Sequence, residues 1–119
     1  MSLTESPKTD TLPKLLQRNA EESADAPGIR EKTLGVWQAL TWRGYCDVMR
    51  DFALGLAALG FKRGDKLSVV GDNRPQLYAA QLSAQALGGM AVPGYQDSIA
   101  SELVYVLNHA EVSIIVAEE

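Results

Sequence analysis

Apolar residues along the chain change their spacing several times, and each change marks an element. Leu12, Leu15, Leu16 and Ala20 recur at helical intervals behind Thr11, which can accept a first-turn amide and so cap a first helix. The stretch from Glu21 to Gly28 is a polar connector. Residues 28–32 and 36–40 then read as two short strands joined through Thr33, Leu34 and Gly35, a hairpin signal. The clearest helix follows. Thr41 stands at its N-cap, Tyr45, Val48, Met49, Phe52, Leu56 and Leu59 share one face, and Gly60 sits where a left-handed terminating residue belongs.

Beyond the turn at Gly64-Asp65 the pattern shortens. Leu67 to Val70 is an uninterrupted apolar, β-branched run, as expected of a strand covered on both faces. A third helix is predicted from an Asp72 or Asn73 cap to Gly88-Gly89. Leu77, Tyr78, Ala79, Ala80, Leu82, Ala84, Ala86 and Leu87 surround it, so it is expected to be buried on all sides. Met90 to Val92 forms another strand, ended by Pro93. Ser98 can cap a fourth helix with Leu103, Val106, Leu107 and Ala110 on one face, and Val112 to Val116 is a last apolar strand. Two-sided strands alternating with helices imply an α/β fold with a parallel sheet and right-handed crossovers. The last strand has only a few residues after it, and the third helix needs more cover than a short chain provides. The expectation is therefore the first portion of a larger protein.

Composition narrows the chemistry. The 119 residues suffice for one ordinary domain. A net charge of −4 argues against nucleic acid, whose phosphates need clustered Lys and Arg. The densest basic group, Lys62, Arg63 and Lys66, is interrupted by Asp65 and reads as a solvated turn. Cys46 is the only cysteine and His109 the only histidine, too few for a zinc site. Cys46 fits helix packing, and His109 fits the carbonyl end of a helix. The lone cysteine permits no internal disulfide, in keeping with a reducing, cytoplasmic setting. Met1 to Asp10 is polar, contains Pro7 and lacks the apolar core of a signal peptide, so residues 1–10 are expected to be a disordered leader. The uncharged stretch from Pro75 to Gln96 is interrupted by prolines, glycines and glutamines, and fits a buried helix and strand better than a membrane span.

The junction Gly71-Asp72-Asn73-Arg74 is the candidate phosphate loop, since strand-to-helix turns offer free amides. It has one glycine, not the three of a dinucleotide fingerprint, and no Walker sequence occurs anywhere in the chain. A carboxylate or amide at Asp72 or Asn73 would occupy the amides and repel phosphate. Pro75 removes another donor, and Arg74 could pair with Asp72. The junction is thus expected to be a turn with its own cap. Glu21-Glu22 and Glu118-Glu119 read as solvated charge. Asp47 and Asp51 lie away from the apolar stripe, Trp37 and Trp42 read as core or interface residues, and no serine has a nucleophile-elbow setting.

Several signposts recur in a particular order: Thr41-Trp42, Gly55-Leu56, Leu59-Gly60, Gly64-Asp65, Gly71 to Pro75, Gly88-Gly89, Val92-Pro93 and Tyr95 to Ser98, then Glu102-Leu103 and Tyr105 to Leu107. Together they resemble the N-terminal part of the AMP-forming acyl-CoA synthetases of the adenylate-forming superfamily, and most of all the bacterial long-chain fatty-acid–CoA ligases. The resemblance covers nearly everything from Leu12. It departs at Gly44, where the family often has an acid completing a capping box. It implies an α/β fold, an N-terminal hairpin plus alternating helices and parallel strands, forming part of the larger N-terminal domain. Residues 11–119 would then be an incomplete subdomain of an AMP-binding domain. It further implies a ligase that joins a fatty acid to coenzyme A through an acyl-adenylate, using ATP and Mg2+. The partner would be the remainder of the same enzyme, in the cytoplasm, with peripheral membrane association left open. The fragment alone is expected to be inactive and able to self-associate. No catalytic, cofactor-binding or metal-binding residue is assigned within it. The alternative is a self-contained, non-enzymatic α/β interaction module, or a small nucleotide binder using Gly71 to Arg74.

Overall fold

The computed structural model describes residues 10–118, and most of the expected leader lies outside them. Helix α1 (Leu12–Glu22) leads into a hairpin of β1 (Pro27–Thr33) and β2 (Val36–Thr41). Then come α2 (Trp42–Ala58), β3 (Lys66–Val70), α3 (Pro75–Ala86), β4 (Met90–Gly94), α4 (Ala100–His109) and β5 (Ile114–Ala117). The hairpin is antiparallel, with Lys32 opposite Trp37 and Thr33 opposite Val36. The other strands form a parallel sheet in the order β4-β3-β5. The expected α/β architecture is what forms.

Strand β3 is central, paired with β4 on one side and β5 on the other, and its middle residues Leu67 to Val69 are buried on both faces. Leu67 and Val69 point to one face and join a core with Leu56 of α2, Phe61, and Leu77, Ala80 and Ala84 of α3. Ile114 and Val116 of β5 pack against the same core. Ser68, fully buried, belongs to the other face, and its hydroxyl has no hydrogen-bond partner among the described residues. Leu103 of α4 approaches that side at Gly94. A second core joins Leu16 and Ala20 of α1, Tyr45, Cys46 and Met49 of α2, and Ala79 of α3, with Ile29 and Leu40 of the hairpin against it.

Helix α3 is less enclosed than its composition suggests. Its alanines face the two cores on two flanks, while Tyr78 is 41% exposed and Gln76 faces solvent. Small side chains here serve close approach rather than encirclement. Gly89, just past the helix, shows the same economy of space: a Cβ there would lie 2.5 Å from Phe61 and 2.6 Å from the Asp65 carbonyl oxygen.

Two caps fall elsewhere than expected. Thr11 and Thr41 do accept the amides of Lys14 and Gly44 at 3.3 and 3.0 Å. Helix α3, however, starts from Arg74 with no side-chain cap, because Pro75 holds the preceding residue extended and shifts the start past Asp72 and Asn73. Helix α4 likewise starts from Ile99 with no side-chain cap, and the Ser98 amide instead closes a turn onto the Tyr95 carbonyl. Pro93 does not end β4 but sits within it opposite Val69, which a sheet edge permits.

The hairpin turn carries an anomaly. Leu34 (φ 51°) and Gly35 (φ 80°) are both left-handed, the geometry of a two-residue turn that favours Asn-Gly. A leucine there costs about 1–2 kcal/mol of backbone strain. Glu111, the other left-handed non-glycine among the described residues, follows α4 and bonds back to the Asn108 carbonyl.

Because Leu67 is fully buried at the centre of the sheet, Leu67→Ala is expected to cost about 2–5 kcal/mol. Urea unfolding followed by circular dichroism measures this, and a loss below about 1 kcal/mol would contradict the assigned core.

Candidate functional site

Chain direction points to one crevice. From β3 the chain passes through α3 to β4 on one side, then returns through α4 to β5 on the other. The carboxyl ends of β3 and β5 therefore lie side by side at a reversal of strand order. Open α/β sheets bind ligands outside the strand ends at such points. Here that position is formed by Gly71 to Arg74 after β3 and by Glu118 after β5.

The crevice is occupied by the protein's own carboxylate. The Asp72 amide donates to Glu118 Oε2 at 2.9 Å, and Arg74 Nε lies 2.6 Å from Glu118 Oε1. The Glu118 amide donates to the Val70 carbonyl at 3.0 Å and extends the strand pairing. Arg74 Nη1 is also 3.9 Å from Glu31 Oε1 of β1, so one guanidinium spans hairpin, junction and sheet. Gly71 makes this fit possible: a Cβ there would stand 2.8 Å from both Glu118 Cβ and Leu77 Cδ1.

These contacts change three expectations. Arg74 pairs with Glu118 and Glu31, not with Asp72. Glu118 is not free solvated charge but a half-buried partner, while Glu119 lies outside the described residues. The amide is filled by a carboxylate, as expected, but that carboxylate comes from 46 residues away. The junction therefore does not fit a phosphate: its arginine and an amide are already committed to an anion. No local sequence signal could have paired Glu118 with this turn.

The remaining candidates stay apart. Cys46 is buried among α1, α2 and α3, and burial pushes its thiol up from the ordinary value, the reverse of nucleophile activation. His109 is on the exposed last turn of α4, stacked on Tyr105 with ring centroids 5.8 Å apart. Asp47 and Asp51 are both exposed, with Asp47 3.9 Å from Arg50. Lys62 and Asp65 close their turn on each other, the Lys62 amide donating to Asp65 Oδ2 at 2.8 Å. Trp42 packs into the second core, whereas Trp37 is exposed with Lys32 Nζ 5.8 Å from its ring. Burial pushes the Tyr45 hydroxyl up to about 12, and it donates weakly to the Pro75 carbonyl at 3.4 Å. Among the described residues, no three His, Cys, Asp or Glu side chains are grouped to hold a metal, and no helix is long and apolar enough to cross a membrane.

A hairpin-bearing helical layer on a parallel β4-β3-β5 sheet is the architecture of the N-terminal domains of adenylate-forming enzymes. The chain belongs to the AMP-binding enzyme family, whose pattern matches residues 16–119. It is 35% identical over its whole length to an uncharacterized protein of Mycobacterium tuberculosis, covering 66% of that protein. It is 32% identical over 108 residues to the rat long-chain-fatty-acid–CoA ligase ACSBG2, a match covering 91% of this chain but 16% of the ligase. In structure it resembles the N-terminal domain of FACL13 from M. tuberculosis, with a TM-score of 0.82 and 22% identity over 88% of this chain and 26% of that one. The chain thus spans about two thirds of one relative and a small part of the ligase.

Two outcomes test this geometry. Arg74→Met is expected to lower stability by about 1 kcal/mol in dilute salt, with the difference shrinking as NaCl approaches about 1 M. Unfolding curves equal to the parent at both salt levels would show that the Glu118 contact contributes nothing. Cys46 is expected to react with Ellman's reagent at least about tenfold slower in the folded protein than in urea. Equal rates would contradict its burial.

Proposed function

We propose that this chain is the N-terminal scaffold portion of a long-chain fatty-acid–CoA ligase. In that reaction a fatty carboxylate attacks the α-phosphorus of ATP, releasing pyrophosphate and leaving an acyl-adenylate. The thiol of coenzyme A then displaces AMP. The similarity to the rat long-chain ligase over 91% of the chain carries this reading, together with the family match. The self-filled crevice agrees with it, because a portion without a free phosphate seat needs other residues for the chemistry. An open apolar groove between α2 and β5, lined by Phe52, Leu56, Leu59 and Ile115, also suits a chain that continues over it.

On this reading ATP, Mg2+ and coenzyme A bind the whole enzyme, and no residue of this chain holds them. The remainder of the enzyme is the partner. On the same reading the full-length enzyme works in the cytoplasm or at the periphery of a membrane, and this portion alone is inactive.

A second reading has its own support. The M. tuberculosis relative is itself short, since this chain covers 66% of it. A self-contained, non-enzymatic module of this fold would fit that length.

The test is ATP–pyrophosphate exchange. This chain alone is expected to give no fatty-acid-dependent exchange. A polypeptide that includes the sequence encoded beyond Glu119 is expected to exchange at least about tenfold faster with a C16 acid than with acetate or benzoate. Preference for the aromatic or short acid would overturn the long-chain assignment. Absence of exchange with every acid would favour the module.

A further inference from the structure

We infer that the β1–β2 hairpin is a docking surface for anionic lipid membranes. The starting point is Leu34. It stands in left-handed backbone and is 99% exposed, so neither conformational preference nor packing within the chain accounts for a leucine there. Trp37, 66% exposed, extends the same surface, while Val36, 61% exposed, adds apolar area at the turn on the opposite face of the hairpin. Leu34 and Trp37 border one groove of about 520 Å3 together with Arg30 and Lys32, and Asp72 and Arg74 close its other end.

Charge chooses the occupant. The chain as a whole carries −4, yet the exposed charges on β1 beside these apolar side chains are Arg30 and Lys32. Neither forms an ion pair among the described residues, and Lys32 lies against the Trp37 ring. The acid between them, Glu31, is half-buried and near Arg74. An apolar tip, then an amphipathic tryptophan with Lys32 level with its ring, then Arg30 further back along the strand match the order of layers in a membrane surface. The tip reaches acyl chains, the indole sits at headgroup depth, and the cations meet lipid phosphates and carboxylates. A protein groove would need no such layering. The inference is independent of the ligase reading, since it uses only the hairpin.

Sedimentation of the full chain with phosphatidylcholine vesicles, with and without about 30 mol% phosphatidylserine, tests it. Binding is expected to the anionic vesicles, at least about fivefold tighter than to neutral ones, and to weaken as salt rises. Arg30→Glu and Lys32→Glu are each expected to weaken it about fivefold. Brominated lipid is expected to quench the parent's tryptophan emission but not that of Trp37→Ala. Leu34→Asn is the decisive variant, because asparagine accepts the left-handed turn. It is expected to weaken binding about fivefold or more while the thermal midpoint stays level or rises. No vesicle binding, equal binding to neutral and anionic vesicles, or a Leu34→Asn chain that binds like the parent would overturn the proposal.

Discussion

Burial of β3 on both faces is the constraint from which the rest follows. A strand in that position can offer water neither face, and the chain sends α3 and α4 to opposite sides: α3 packs closely on one, while α4 reaches the other through Leu103 at Gly94 and buries none of its own residues. Leu67 and Val69 set the distance to α2 and α3. That distance is short only because α3 presents Ala80 and Ala84 to the sheet, and because Gly89 leaves room for Phe61. The layer bearing the hairpin then rests on the opposite flank of the same helices through Tyr45, Cys46, Met49 and Ala79. Helix α3 is the shared wall of both cores, so its small side chains couple them.

Much of this was legible in the sequence wherever the signal was local and periodic. The stripe from Tyr45 to Leu56, the two-sided run at Leu67 to Val70 and the Thr33–Val36 turn each determined an element with its neighbours alone. Capping was harder where two local rules competed. Asp72 and Ser98 both favour caps, but Pro75 delayed one helix and a turn at Tyr95 delayed the other. What stayed hidden was non-local. Glu118 reads as terminal charge until β5 lies beside β3, and only then does its carboxylate reach Asp72 and Arg74. The encirclement expected of α3 failed for a related reason. Alanine marks close approach, and a sequence does not say from how many sides.

The candidate site was legible in place but not in content. A strand–glycine–helix junction is where an α/β sheet holds anions, and this one does hold an anion. It is an internal carboxylate, so the most ligand-like feature of the chain is spent on joining three segments: hairpin, junction and the end of β5. Family membership and the absence of a free phosphate seat are thereby compatible. The signposts that carry the resemblance are turns and packing glycines, which describe a scaffold.

The two edges of the parallel sheet are chemically unequal. On β4, Pro93 sits mid-strand and has no N–H to lend to a newcomer. On β5 no residue from Ile114 to Ala117 lacks an N–H, so the alternate residues not bonded to β3 all keep an outward donor, and Ile115 is half in water. Strand addition has a polarity as a result: the β4 border lacks a donor at Pro93, and the β5 border lacks none. A strand added to this sheet, from the same polypeptide or from a stray neighbour at high concentration, is better matched by the donors of β5 than by those of β4.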